Sequence, residues 1–194
     1  MASPLFADAI RPESGRRAWL FDAALIAGSS LVIGLCAQIA IPLPFTPVPV
    51  TLQTLAVLMV GCALGSERGT LAVLAYLGEG FAGLPVFSGG RAGAACLFGP
   101  TGGYLLGFLA AAYVVGLLAE RGMLRRGIGA LLALAAGNII LYVPGVLWLG
   151  AYAGMGKALS LGIVPFLAGD AAKIAAAWGL LSGAALVVTK ARST

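Results

Sequence analysis

Long apolar runs recur along the whole chain, and they are separated by short polar or glycine- and proline-rich segments. A helix needs about 20 apolar residues to cross the hydrocarbon core of a bilayer, so runs of this length predict membrane-spanning helices. Prolines at positions 49, 100 and 165 precede three of the runs, which is typical of a helix start. The pattern predicts an all-α integral membrane protein with one six-helix domain over residues 1–194. The predicted spans are residues 19–41, 51–65, 69–84, 100–119, 128–149 and 166–188.

The composition excludes several classes of protein. Of the 194 residues, 60% are hydrophobic and 10% are charged, whereas soluble domains have about 25% charged residues. There is no histidine, and Cys36, Cys62 and Cys96 lack paired spacing, so we expect no metal site and no enzyme. Gly78, Gly80 and Gly83 match G-x-G-x-x-G but lie in a predicted membrane helix, and the chain has no phosphate-binding lysine loop. We therefore expect no ATPase activity.

The distribution of cations predicts the orientation in the membrane. Nine of the twelve lysines and arginines lie at span ends that share one side, namely Arg11, Arg16, Arg17, Arg68, Arg121, Arg125, Arg126, Lys190 and Arg192. By the positive-inside rule, both termini are predicted to be cytoplasmic. This asymmetry accounts for the net charge of +5 without a nucleic-acid partner. The three exceptions are Arg91, Lys157 and Lys173, which fall on the predicted outer side or in the outer half of a span.

Two ionisable residues, Asp170 and Lys173, lie inside the last apolar run. Ionisable groups at membrane depth are costly, and they commonly mark functional sites. Their spacing of three residues places both side chains on one helical face. Two interpretations follow: the pair offers a polar ligand an acceptor and a cation, or it is an ion pair that only stabilises the bundle.

Other polar residues favour the first interpretation. Three spans begin on the predicted outer side, and their amino termini carry partial positive charge toward one external cavity. Arg91 and Lys173 suit a carboxylate, while Asp170 and Glu79 accept hydrogen bonds from N–H donors. Neutral polar groups at similar depth are Gln53, Asn138, Tyr104 and Tyr142. The sequence therefore predicts an outward-facing site for a ligand with an anionic end and a polar N–H end.

Three segments resemble the BioY family, the biotin-specific S components of energy-coupling-factor (ECF) transporters. They are IPLPFTPVPVTLQT at 41–54, GLPVFSGG at 83–90 and FGPTGGYLLG at 98–107. The pair Asp170 and Lys173 is similar to a polar pair in the family's last helix. The resemblance implies a six-helix S-component bundle in which the loops 42–50 and 85–99 cover an outward-facing substrate site.

The resemblance also implies the function and the partners. It implies high-affinity biotin capture and transport across the bacterial inner membrane, without a cofactor and without ATPase activity of the chain itself. The implied partners are a transmembrane coupling subunit and two cytoplasmic ATPase subunits. Small residues on the first helix, Ala23, Ala24, Ala27 and Gly28, offer a face for close contact with another helix.

Biotin matches the predicted polar groups. Its carboxylate fits Lys173 or Arg91, and its ureido N–H groups fit Asp170. Its ureido oxygen fits Asn138 or Gln53. Its fused rings are expected against Phe87, Tyr104 or Trp148.

Two alternatives stay open at this point. The chain is an S component for another vitamin, because one scaffold can hold different pockets. Otherwise it is a self-contained proton-coupled carrier, in which Asp170 or Glu79 carries the proton.

Overall fold

Helices form most of the chain, as the apolar runs predict. The computed structural model describes residues 5–13, 15–125 and 127–191. Their α-helices are α1 (Phe6–Ala9), α2 (Arg16–Gln38), α3 (Gln53–Phe81), α4 (Ala94–Leu97), α5 (Gly102–Glu120), α6 (Gly127–Ala153), α7 (Met155–Gly162) and α8 (Leu167–Ala191). A short 3-10 turn covers Met123–Arg125. Two short strands, β1 (Ala40–Ile41) and β2 (Val50–Thr51), pair antiparallel, with Ala40 opposite Thr51.

The membrane prediction is confirmed. Among the described residues, α2, α3, α5 and α6 are each long and apolar enough to cross a membrane. α7 and the first part of α8, Leu167–Leu181, meet at 45° and together form a fifth candidate span. The chain is therefore a multi-pass, all-helical membrane protein.

α3 contains both the second and the third predicted spans, because it reverses direction at Gly65. This residue has φ +87° and ψ −177° inside a helix that is otherwise regular. Gln53 and Tyr76 are 23 positions apart, which is about 35 Å in a straight helix, yet Gln53 Nε2 donates to the Tyr76 hydroxyl at 2.6 Å. The two arms of α3 therefore run antiparallel, as a helical hairpin. The predicted break, residues 66–68 between the spans 51–65 and 69–84, is helical, and the chain turns instead at Gly65, the last residue of the second predicted span.

Glycines allow the central helices to pack closely. A Cβ on Gly61 in α3 would lie 2.8 Å from the carbonyl oxygen of Ala112 in α5. A Cβ on Gly107 in α5 would lie 2.6 Å from the carbonyl oxygen of Leu141 in α6. Backbones approach closely at small residues, so α3, α5 and α6 form the core of the bundle. By contrast, Gly28 on α2 has no neighbouring atom within 4 Å at its Cβ position.

The two ends of the bundle differ in character. At the end that contains the Gly65 turn, Arg68 forms ion pairs with Asp8 at 2.8 Å and with Asp22 at 3.1 Å. Arg126 and Arg192, which contribute to the predicted orientation, lie outside the described residues. The opposite end carries the strand pair, the long loop between α3 and α5, and α7. The predicted site residues of α3 and α8 lie toward this second end.

Candidate functional site

A cleft opens at the loop end of the bundle, between α3, α5, α6 and α8. It encloses about 640 Å³ of empty space, including the part at its open mouth. Six predicted site residues line it: Gln53, Phe87, Arg91, Tyr104, Asp170 and Lys173. Residues of both predicted covering loops, among them Val48 and Ser88, also line it.

A hydrogen-bonded cluster lies on the α8 side of the cleft. Lys173 Nζ donates to Asp170 Oδ1 at 2.8 Å and to Thr54 Oγ1 at 3.0 Å. The Thr54 hydroxyl lies 3.4 Å from Asp170 Oδ1, and the Tyr142 hydroxyl donates to Asp170 Oδ2. The side chains of Asp170 and Lys173 are only 6% and 13% exposed. Asp170 and Lys173 thus form an ion pair and also line the cleft. The arrangement therefore contains elements of both interpretations, the stabilising ion pair and the ligand-binding pair.

The start of α8 explains the position of Asp170. The helix begins at Leu167, and the backbone N–H of Asp170 donates to the Phe166 carbonyl at 2.8 Å. Asp170 therefore lies in the first turn, where the positive end of the helix dipole stabilises a carboxylate. Lys173 follows three residues later, so its ammonium reaches the same carboxylate from the same helical face.

The start of α3 holds Gln53 in one orientation. The Thr51 hydroxyl accepts from the Gln53 backbone N–H at 3.3 Å and donates to Gln53 Oε1 at 3.2 Å. Gln53 Nε2 donates to the Tyr76 hydroxyl, which leaves its second N–H available. The Tyr76 ring meets Phe87 edge to face, with centroids 5.5 Å apart.

A tight turn positions Phe87 and Arg91. The backbone N–H of Phe87 donates to the Arg91 carbonyl at 3.0 Å, and the turn between them uses positive φ at Gly89 and Gly90. Gln38 at the end of α2 holds this turn: its Oε1 accepts from Gly90 N at 3.0 Å, and its Nε2 lies 3.3 Å from the Phe87 carbonyl. This role of Gln38 could not be predicted from the sequence, because its partners lie about fifty residues away.

Tyr104 and Trp148 connect the loops to the bundle. The Tyr104 hydroxyl donates its hydrogen to the Gly162 carbonyl at 2.8 Å, so toward a ligand it can act only as an acceptor, while its ring offers an apolar surface. Trp148 Nε1 donates to the Gly99 carbonyl at 3.0 Å, and this residue does not line the cleft. Thr46 in the first loop donates to the Leu161 carbonyl at 2.9 Å. The loops are thereby anchored to the carboxyl-terminal end of α6 and to α7.

The other two predicted site residues lie outside the cleft. Asn138 on α6 is buried and lines a separate groove on the other side of Tyr142. Glu79 lies between α2 and α3, where Oε1 accepts from the Ser30 hydroxyl at 2.6 Å. Neither Asn138 nor Glu79 lines the cleft together with Lys173 and Arg91.

Thr54 and Tyr142 contribute more to the site than their sequence positions predict. The sequence predicts Tyr142 only as a neutral polar group, and it does not predict a role for Thr54. Thr54 follows Gln53 at the outer start of a predicted span, and this position was the available signal. Its contact with Lys173 joins residues 119 positions apart, so the sequence does not reveal the pairing.

The cleft combines an ammonium, a guanidinium, a carboxylate, an amide and aromatic rings. This set suits a small molecule that has a carboxylate and N–H groups, with a flat or fused apolar body. In residues 5–13, 15–125 and 127–191, no three histidine, cysteine or acidic side chains are grouped so as to hold a metal ion.

Comparisons with known proteins place the chain in a family. The model of the BioY family matches residues 12–190. The biotin transporter BioY of Rhizobium etli is 40% identical over 173 residues, covering 84% of this chain and 90% of that protein. The biotin transporter BioY of Thermotoga maritima is 42% identical over 163 residues, covering 83% and 89%. A crystal structure of the S-component for biotin from an ECF-type ABC transporter is similar with a TM-score of 0.79 and 27% identity, covering 87% of this chain and 92% of that one. The chain therefore belongs to the BioY family.

Proposed function

We propose that this chain binds biotin and acts as the S component of an ECF transporter, as a transport subunit without enzymatic activity. Relatives about 40% identical over most of their length are biotin transporters, and the similar crystal structure is a biotin S-component. The observation that carries the proposal is that, in a chain of this family, Asp170 and Lys173 form an ion pair that faces a cleft.

The free hydrogen-bonding capacity of the cleft supports this ligand. Lys173 Nζ uses two of its three donors on Asp170 and Thr54, so one is available for a carboxylate. Arg91 uses Nε on the Ser88 carbonyl at 2.9 Å and is a second candidate for the carboxylate. Asp170 accepts hydrogen bonds on both oxygens, and a carboxylate has about four lone-pair sites, so it can accept a ureido N–H as well.

The ring system of biotin also has suitable neighbours. The unused N–H of Gln53 is a donor for the ureido oxygen, and Gln53 is favoured over Asn138 because only Gln53 lines the cleft. Phe87 and Tyr104 line the cleft and provide apolar surfaces for the fused rings.

The proposed partners are those of an ECF module, namely a transmembrane coupling subunit and two cytoplasmic ATPases. Ala24, Ala27 and Gly28 are exposed along α2, which supports close contact with a helix of the coupling subunit. We further propose that the chain is one transmembrane domain in the bacterial inner membrane with both termini cytoplasmic. The cations near the Gly65 end of the bundle support that orientation.

Isothermal titration of the detergent-purified chain tests the proposal. We expect one biotin to bind per chain, and we expect no binding of thiamine or riboflavin. Biotin methyl ester, which lacks the carboxylate, is expected to bind more weakly than biotin. Equal weak binding of all three vitamins would contradict the assignment. Biotin uptake by liposomes that contain the chain alone, abolished by an uncoupler, would instead favour a proton-coupled carrier.

A further inference from the structure

Gln38, the last residue of α2, fastens the turn formed by residues 87–91 to the bundle. In residues 5–13, 15–125 and 127–191, its hydrogen bonds are the only ones that join this turn to another part of the chain. Oε1 accepts from the Gly90 N–H at 3.0 Å, and Nε2 faces carbonyl oxygens, among them those of Gly34 at 3.0 Å and Phe87 at 3.3 Å. A carboxamide offers an acceptor and a donor together, so these contacts match glutamine.

The turn determines where the guanidinium of Arg91 lies. Arg91 Nε donates to the Ser88 carbonyl at 2.9 Å, so the guanidinium is tied to the turn itself. Arg91 lines the cleft, and its terminal nitrogens have no hydrogen-bond partner in the described parts of the chain. The end of a guanidinium can bind a carboxylate through two hydrogen bonds at once. Because the turn carries this group, a shift of the turn moves it.

The backbone at Gln38 is fixed relative to the start of α3. After one further residue, β1 begins and pairs with β2, and the Leu52 N–H donates to the Ile39 carbonyl at 3.1 Å. Gln53 follows Leu52 directly and lines the cleft. The end of α2 is therefore joined through its backbone to Gln53 and through the Gln38 side chain to the turn that carries Arg91.

We infer that Gln38 is a positioning residue for biotin recognition, because it fixes Arg91 relative to Gln53. The inference rests on the proposed function, in which Gln53 donates to the ureido oxygen, and it assigns the biotin carboxylate to Arg91. A ligand that bonds to both groups binds more tightly when they are already in place, because binding then does not have to order the turn. Gln38 thus acts through Arg91 and does not itself contact the ligand.

Two substitutions at position 38 remove these hydrogen bonds. Gln38→Met keeps the length of the side chain without its polar atoms, and Gln38→Ala removes the side chain beyond Cβ. Leu35→Ala is the control, because Leu35 lies on the same helix and is 69% exposed. Isothermal titration of the monodisperse chain measures the affinities for biotin and for biotin methyl ester, which lacks the carboxylate.

We expect both Gln38 variants to bind biotin about 3- to 10-fold more weakly, which corresponds to the loss of about one hydrogen bond. Affinity for the methyl ester should stay within about twofold, so the preference for biotin over the ester falls. A purely structural role of Gln38 would instead lower both affinities alike. Leu35→Ala should retain both affinities. An equal loss for biotin and the ester in the Gln38 variants would overturn the inference, as would an equal loss of biotin affinity in Leu35→Ala.

A double-mutant cycle tests whether Gln38 acts through Arg91. Arg91→Met removes the guanidinium, so it should by itself lower biotin affinity about 10- to 100-fold. In that background Gln38→Met should cause no further loss, because the turn no longer carries a cation. Losses that add in the double variant would overturn the inference. Failure of the unmodified chain to bind biotin would contradict the proposed function as well, whereas normal biotin binding by the Gln38 variants would contradict this inference alone.

Discussion

Replacing Asp170 by asparagine removes the negative charge from the cleft while the side chain keeps its shape. In the structure, Asp170 Oδ1 accepts from Lys173 Nζ at 2.8 Å and lies 3.4 Å from the Thr54 hydroxyl, while Oδ2 accepts from Tyr142. A ligand N–H that adds to this carboxylate makes a charge-assisted hydrogen bond, worth about 1.5–3 kcal/mol. Because about 1.4 kcal/mol corresponds to a factor of ten, biotin affinity should fall about 10- to 100-fold in Asp170→Asn.

A matched Asp→Asn variant controls for general destabilisation. Asp22 lies at the opposite end of the bundle, where it pairs with Arg11 at 2.6 Å and with Arg68 at 3.1 Å. Asp22→Asn breaks ion pairs without touching the cleft. Isothermal titration of monodisperse protein should therefore show wild-type biotin affinity for this variant. Wild-type affinity in Asp170→Asn, or an equal loss in both variants, would refute the assignment of Asp170 to the ligand.

Two further variants test neighbouring parts of the site. Thr54→Val removes the hydroxyl that bridges the ion pair, which is worth about 0.5–1.5 kcal/mol, so titration should show a loss of biotin affinity of about 2- to 10-fold. In the control variant Thr70→Val, only a hydrogen bond within the same helix is lost, so biotin should bind with normal affinity. An equal loss of biotin affinity in the Thr54 and Thr70 variants would contradict a specific role of Thr54. Gly80→Ala places a Cβ 2.1 Å from the Phe87 ring, so it should displace that ring and lower both biotin affinity and the melting temperature. In the control variant Gly78→Ala, the added Cβ has no atom within 4 Å, so biotin affinity should be unchanged. Equal biotin affinity in the Gly80 and Gly78 variants would show that the position of the Phe87 ring does not affect binding.

The helices could be predicted from the sequence because each apolar run is long. The predicted break between the second and third spans covers residues 66–68, but only Gly65 leaves the helical conformation. Glu67 and Arg68 remain helical in the second arm of α3. Arg68 forms ion pairs there with Asp8 and Asp22, which lie 60 and 46 residues earlier in the chain. A local pattern of polar residues does not contain that long-range pairing, so it predicted a wider loop.

The site could be predicted only in part, because local spacing is visible in the sequence and contacts between distant residues are not. Asp170 and Lys173 share one turn of one helix, so their spacing alone predicted a common face. Asn138 and Tyr142 are also one turn apart, yet Tyr142 reaches the cleft and Asn138 reaches only the groove behind it. Which of them faces the cleft depends on how α8 packs against α6. Glu79 is a similar case, because its partner Ser30 lies 49 residues earlier on another helix.

The arrangement around Asp170 connects ligand recognition to helix packing. Its three partners come from three helices: Thr54 from α3, Tyr142 from α6 and Lys173 from α8. The Thr54 contact, at 3.4 Å, is much longer than a typical O–H···O bond of about 2.7–2.8 Å, so it is the contact that a ligand N–H replaces most readily. Replacing it leaves the bonds to Tyr142 and Lys173 intact, so a ligand can enter without releasing α8 from α6. Lys173 Nζ still donates to Thr54 at 3.0 Å, so α3 and α8 stay joined, and a ligand that also bonds to Gln53 at the start of α3 adds a further link between these two helices. Ligand binding should therefore tighten the loop end of the bundle rather than loosen it.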